Sequence, residues 1–289
     1  MSDPKLTRRA WAAGFSTAAL VPFAGLEIAR AQEYRIDRAD IKLGIASYSL
    51  RKFSRAQAIE MTKQLGTPYL NVKDFHLPLN SSAAEIDAAR QEFAAAGITL
   101  VGIGTVTFGS EDAQDIRSKF EYAKRLGVPL IVCAPTPTTL PKLEPFVKEY
   151  DIKIAVHNHG PEDKHFPTPQ SVLQVLREHN MDPRCGLCMD IGHTARTGQD
   201  VVRSIAEAGP RLLDMHAKDL ADMTAKESQV ICGRGRMPFP AIFRQLISIG
   251  YHGSVNLEYE IEETNPMPGM QISMAYVRGV LAGVAAARS

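Results

Sequence analysis

The sequence predicts an α/β protein: one (β/α)8 TIM barrel, folded as a single domain behind a cleaved N-terminal signal. Three observations predict it. Short apolar runs alternate with helical patterns eight times along the chain. The first run is followed by Ser47-Tyr48-Ser49-Leu50-Arg51, not by the Gly-rich phosphate turn usual in an open doubly wound sheet. The last four runs place polar residues at their C-terminal ends, where such barrels assemble their sites.

The elements follow in order. Residues 1–31 carry Arg8-Arg9, then a weakly apolar Ala- and Gly-rich run from Ala10 to Ile28, then the small-x-small pattern Ala29-Arg30-Ala31. That order matches a twin-arginine-type export signal, so a periplasmic or otherwise exported location is expected. Pro22 and the short apolar run argue against a stable membrane anchor. The barrel domain is assigned to residues 32–289. Strands are expected at Ile41–Ala46, Tyr69–Val72, Thr99–Val106, Leu130–Cys133, Lys153–His157, Gly186–Ile191, Leu212–Ala217 and Ser254–Tyr259. Helical patterns fill the gaps: Arg55–Leu65, Ala83–Ala95, Asp112–Arg125, Leu140–Tyr150, Pro169–His179, Asp200–Ala208 and Ala241–Ile249, with Met270–Ala287 last. Ser82-Ala83-Ala84-Glu85 reads as a capping box. Gly66, Gly97, Gly127 and Gly250 stand where helices should stop. The stretch from Leu220 to Pro240 is long for a strand-to-helix loop, and such loops tend to be functional.

The 289 residues are 45% hydrophobic and 22% charged, which suits a folded protein with a sizeable core. Net charge is +1, and loss of the signal, with four basic and two acidic residues, leaves −1. With no long basic run, no nucleic-acid partner is expected. Cys185 and Cys188 have CxxC spacing, but an extended segment would hold their Cα atoms about 10 Å apart, too far for a disulfide. Buried free cysteines are expected.

Side chains alternate along a strand, so residues two apart share a face. In the last four strands, Ile154 and Val156, Leu187 and Met189, Leu213, Met215 and Ala217, and Val255 and Leu257 form apolar faces suited to packing under helices. The opposite faces carry His157 and His159, Cys188 and Asp190, Asp214, His216 and Lys218, and Asn256, Glu258 and Glu260. Burying so many ionisable groups is costly unless they are paired or bind a metal. Two imidazoles and two carboxylates, His157, Asp190, His216 and Glu258, suit one divalent ion: Mn, Co, Zn, Fe or Mg. One such histidine alone would more often be a hydrogen-bonded core residue.

The segments CMDIGHT, MHAKD and GRGRMPFPAIFRQLISIGYHGSVNLEYE resemble the sugar isomerase/epimerase superfamily with the xylose-isomerase-like TIM barrel. The resemblance covers nearly all of the chain after the signal. It implies a single divalent metal held by Glu, Asp, His and Glu at the ends of strands five to eight. Asp190, His216 and Glu258 match the last three places, and His193 matches a substrate-contacting histidine. In the first place this sequence has His157, within His157-Asn158-His159-Gly160, where the family has Glu.

The resemblance implies a sugar isomerase/epimerase that abstracts a proton next to a carbonyl and forms an enediolate. The expected catalytic residues are Glu258 and His157. Substrate contacts are expected from His193, Lys218, His159, Lys73 and His76. Asp74, Glu162 and Asp163 are further candidates for the mouth. The expected partner is a small carbohydrate; the sequence leaves a homo-oligomer open. Two alternatives stand: a lyase that opens 3-keto-glycosides by β-elimination, and a non-catalytic periplasmic sugar-binding protein. A DNA-repair endonuclease on the same barrel would need more metal ligands and a cationic face.

Overall fold

A computed structural model describes residues 41–287. The expected export signal at 1–31 and the start of the barrel domain at 32 lie outside the described residues. The elements are β1 (Lys42–Ala46), a 3-10 turn (Ser47–Leu50), α1 (Arg55–Gln64), β2 (Tyr69–Val72), α2 (Ala83–Ala95), β3 (Thr99–Phe108), α3 (Ala113–Leu126), β4 (Leu130–Pro135), α4 (Leu140–Tyr150), β5 (Lys153–His157), α5 (Pro169–Glu178), β6 (Cys185–Asp190), α6 (Ile191–Arg196), α7 (Val201–Ala208), β7 (Leu212–Ala217), β8 (Asp219–Leu220), β9 (Gln229–Val230), α8 (Phe239–Ser248), β10 (Ser254–Leu257) and α9 (Met267–Ala286). Eight parallel strands close into a barrel in the order β1-β10-β7-β6-β5-β4-β3-β2. This is the expected TIM barrel.

Local chemistry sets the boundaries. The Ser82 hydroxyl accepts from Glu85 N, and the Glu85 carboxylate accepts from Ser82 N at 2.7 Å, completing the expected capping box. Asp200 caps α7 through Arg203 N at 3.0 Å. Gly127 ends α3 at φ 81°, a left-handed position that costs glycine little.

Several elements differ from the sequence reading, among them the third strand, which runs on to Phe108 and not Val106, and the eighth, which ends at Leu257 and not Tyr259. The sixth strand stops at Asp190, because its Oδ1 accepts from His193 N at 2.8 Å and caps α6. Inside the long stretch after residue 219, β8 and β9 pair as an antiparallel hairpin. Buried Asp219 gathers this loop by accepting from the backbone N–H groups of Gly233, Gly235 and Met237 at 2.8–3.0 Å.

The alternation sorts the faces largely as expected. Ile154, Val156, Leu187, Met189, Met215, Val255 and Leu257 join the large core beneath the helices. Burying each such side chain contributes about 1.5–3 kcal/mol. Inside the barrel, Leu130, Val132, Ala155 and Cys188 form a separate small cluster. Leu213, expected on the outer face, packs against this inner cluster instead. The cause is a register shift: Leu187 pairs with Leu212 but Cys188 pairs with Asp214, which leaves Leu213 as an extra residue. Gly186 makes room for it, since a Cβ there would sit 2.6 Å from Leu213 Cγ. Cys133, Cys185, Cys188 and Cys232 are free and buried, as expected. Among the described residues no helix is long and apolar enough to cross a membrane.

Candidate metal centre

Four strands deliver the four expected donors to one end of the barrel. His157 ends β5, Asp190 ends β6, His216 lies one residue before the end of β7, and Glu258 directly follows β10. None is more than 7% exposed. One ligand atom from each lies within 4.8 Å of every other. His157 Nε2 is 3.0 Å from His216 Nδ1 and 3.7 Å from Asp190 Oδ2, and His216 Nδ1 is 3.2 Å from Glu258 Oε2. Ligands about 2.1 Å from a shared ion stand about 3.0–3.4 Å apart along adjacent edges of its coordination shell. The separations and the mixed N/O chemistry therefore fit a divalent cation.

The second layer orients these groups. Asn158 accepts from Asp190 N at 3.1 Å and donates to Thr194 Oγ1 at 3.1 Å, holding the end of β6. Asp190 Oδ1 is occupied in capping α6, so Oδ2 is the oxygen that faces the other donors. His216 turns Nδ1 toward the cluster, while Nε2 lies 3.8 Å from Asp214 Oδ2. Asp214 in turn accepts from Asn256 Nδ2 at 2.9 Å and Cys188 Sγ at 3.4 Å.

Burial and charge pull the proton affinities apart. Burial pushes His157 down to about 3 and His193 down to about 4, so both imidazoles are neutral at pH 7. Burial also opposes the charge on His216, but the Glu258 carboxylate overrides it and raises the imidazole to about 9. Glu258 itself is held well below the usual carboxylate range, against burial, by His216 and Lys218. Burial raises Asp214 to about 6.

Lys218 is placed differently from its expected role. It is buried, and its Nζ lies 3.0 Å from Asp190 Oδ2, 3.0 Å from Glu258 Oε2 and 2.8 Å from Glu260 Oε2. Its ammonium neutralises carboxylates within the cluster. His76, another expected substrate contact, turns to the scaffold. It is buried, with Nδ1 3.0 Å from Ser47 Oγ and Nε2 3.1 Å from the Leu50 carbonyl. Both nitrogens are engaged in holding the turn after β1.

One cavity meets the centre, and a second shares His159 with it. The first, of about 230 Å³, is lined by Tyr48, Lys73, Thr105, His157, His159, Glu258 and Glu260. The other, of about 400 Å³, is lined by His159, Glu162, Asp163, His193, Arg196 and Lys226. His159 belongs to both walls. Lys73 donates to the Thr105 carbonyl at 2.6 Å, which aims its ammonium across the first cavity. Asp74 pairs with Lys73 at 3.3 Å and borders a small gap of about 10 Å³ beside β3. Glu162 is ion-paired with Arg196. Tyr48 and Lys226 escaped sequence reasoning because they stand on a short turn and a loop without a periodic signal, Thr105 because it is one uncharged residue within β3, and Arg196 because α6 was not expected. Glu260 shares the face of Glu258, and that spacing was its one available signal.

The family model described as a xylose isomerase-like TIM barrel matches residues 59–280. Among solved structures, an L-ribulose 3-epimerase is 16% identical with TM-score 0.71, over 86% of this chain and 97% of that one. The IolI protein with a bound zinc atom is 20% identical with TM-score 0.71, over 84% and 99%. D-psicose 3-epimerase from Clostridium cellulolyticum H10 is 18% identical with TM-score 0.69, over 83% and 99%. These likenesses show the shared fold. No protein with a curated description matches the chain. The family match spans most of the chain and agrees with the closed barrel: this protein belongs to the xylose isomerase-like TIM barrel family.

Proposed function

We propose that this protein is a divalent-metal-dependent enzyme that moves a proton next to the carbonyl of a small carbohydrate, as a sugar isomerase or epimerase. The observation that carries the reading is the convergence of His157, Asp190, His216 and Glu258 within 4.8 Å beside a polar cavity. These four residues would hold the ion. A divalent cation there supplies Lewis acidity, which polarises a carbonyl and stabilises negative charge on its oxygen. Zinc in the IolI structure and the epimerase names of other neighbours support the reading.

The chain's own groups supply the rest. The Glu258 carboxylate is ionised and lines the cavity, so it is placed to accept a carbon-bound proton. With His157 on the ion, neutral His193 on the wall of the second cavity can carry a second proton. Lys73 and His159 offer hydrogen bonds to substrate oxygens. Lys218 pairs with both Glu258 and Glu260. An exported location belongs to the same proposal and rests on Arg8-Arg9 and Ala29-Arg30-Ala31.

One observation favours elimination as a second reading. His157, not a carboxylate, stands opposite Glu258, so a symmetric pair of carboxylate bases is missing. Elimination from a keto-glycoside needs one base and one acid. Elemental analysis of untagged protein beside Asp190→Ala tests the common ground. About one equivalent of metal in the parent and none in the variant is expected. Deuterium incorporation into a ketose without cleavage then assigns isomerisation, and release of an aglycone assigns elimination. Parent protein that takes up no Mn²⁺, Co²⁺ or Zn²⁺ overturns the metal reading and leaves sugar binding without turnover, insensitive to Glu258→Gln.

A further inference from the structure

The chain that carries Glu258 leaves the barrel ladder at Leu257, where β10 ends. One main-chain bond continues past that point, from Glu258 N to the Ala217 carbonyl at 3.0 Å. The next backbone groups are taken by two side chains, one on each side. On the β1 side, Ser49 Oγ donates to the Leu257 carbonyl at 3.3 Å and accepts from Tyr259 N at 2.8 Å. On the β7 side, Gln229 Nε2 donates to the Glu258 carbonyl at 2.6 Å, and Gln229 Oε1 accepts from Glu260 N at 2.9 Å. Each side chain presents one donor and one acceptor at the spacing a neighbouring strand would use.

We propose that Ser49 and Gln229 are positioning residues that replace missing strand neighbours and hold Glu258 and Glu260 in line with the other donors. The inference rests on the metal-dependent reading of this site and adds residues outside the donor set. Without the clamp, residues 258–260 would keep only the Glu258 N bond to Ala217 and the bond from Arg51 to the Glu260 carbonyl at 2.9 Å, and would lose four main-chain bonds around a buried carboxylate. The directional freedom gained would scatter Glu258 away from His216 and Lys218.

The clamp links the centre to the long loop. Gln229 sits on β9, and β9 is fastened to β8 by pairing of Leu220 with Gln229. Asp219, beside Leu220, ties the returning loop through Gly233, Gly235 and Met237. The hairpin therefore serves the geometry of Glu258 as well as covering the barrel end. Ser49 lies on the 3-10 turn that His76 secures through Ser47 and Leu50. The buried His76 thus has a role in support of the same segment.

The test uses Gln229→Leu, which keeps the bulk and removes the amide, and Ser49→Ala. Amide exchange measured residue by residue reads the clamp directly, whether or not metal binds. Gln229→Leu is expected to speed exchange at Glu260 about tenfold or more with little change at Tyr259, and Ser49→Ala the reverse. Calorimetric titration with Mn²⁺ reads the consequence. A Kd about tenfold weaker in Gln229→Leu is expected, with the fold intact by circular dichroism. Unchanged exchange at both amides overturns the clamp. Altered exchange with an unchanged Mn²⁺ Kd overturns its positioning role. Parent protein that binds no Mn²⁺ sinks the functional reading instead, and the two failures are distinct.

Discussion

His216 and His157 are the same chemical group with opposite proton affinities, and the difference is local. His157 is buried and sits near about 3, whereas His216 touches the Glu258 carboxylate and rises to about 9. At neutral pH His216 therefore holds a proton that a metal must displace. Binding of Mn²⁺ at pH 7 should release close to one proton, and affinity should rise by up to about tenfold per pH unit toward 9. Titration calorimetry in buffers of different ionisation enthalpy checks this. The sign for stability is the reverse. A raised pKa means the imidazolium contributes fully below its ordinary 6.5, and that contribution is lost as pH rises through about 9. Lys218 gives a second residue-level prediction. Lys218→Met leaves Asp190 and Glu258 without their shared ammonium, a loss expected to cost about 3–5 kcal/mol in denaturant unfolding without added metal. Added Mn²⁺ should raise the variant's Tm more than the parent's, because the cation replaces the missing charge.

At the scale of elements, two features shape the barrel end. Asp219 satisfies three backbone N–H groups of the returning loop. Asp219→Ala leaves them unpaired and should cost at least about 2 kcal/mol, with new protease cleavage between residues 222 and 236 as the readout. The register shift in β7 is the second feature. It lets Leu213 and Asp214 both face inward, one packing in the inner cluster and the other backing His216. Gly186→Ala tests that arrangement. The new Cβ would meet the Arg211 carbonyl oxygen at 2.2 Å, and such overpacking typically costs about 1–3 kcal/mol, seen as a lower urea midpoint. Neither feature carries a sequence signature of its own. Strict alternation placed Leu213 on the outer face, because a one-residue slip is a product of pairing and leaves no periodic trace.

At the scale of the whole molecule, the proposed export yields a direct check. Protein recovered from the periplasm of an expressing cell should begin at Gln32, and Lys replacements at Arg8 and Arg9 should keep it unprocessed. N-terminal sequencing decides, and a periplasmic protein that begins at Met1 contradicts the cleavage. The barrel itself was legible in the sequence because two periodicities, near 2 and near 3.6, switch back and forth eight times. The same period-2 rule placed His157, Asp190, His216 and Glu258 on inward faces at strand ends, and closure of the sheet then brings them within 4.8 Å. Sequence alone thus determined the architecture and the ring of strand-end donors, since both depend on patterns local to each strand. Tertiary structure alone decided what each polar group does there. His76 turns to Ser47, Lys218 turns to three carboxylates, and Ser49 reaches the segment after β10 more than two hundred residues away. Each contact joins segments that meet only when the sheet assembles and closes, the Ser49 contact across the β1–β10 seam, and no local pattern encodes such a distance.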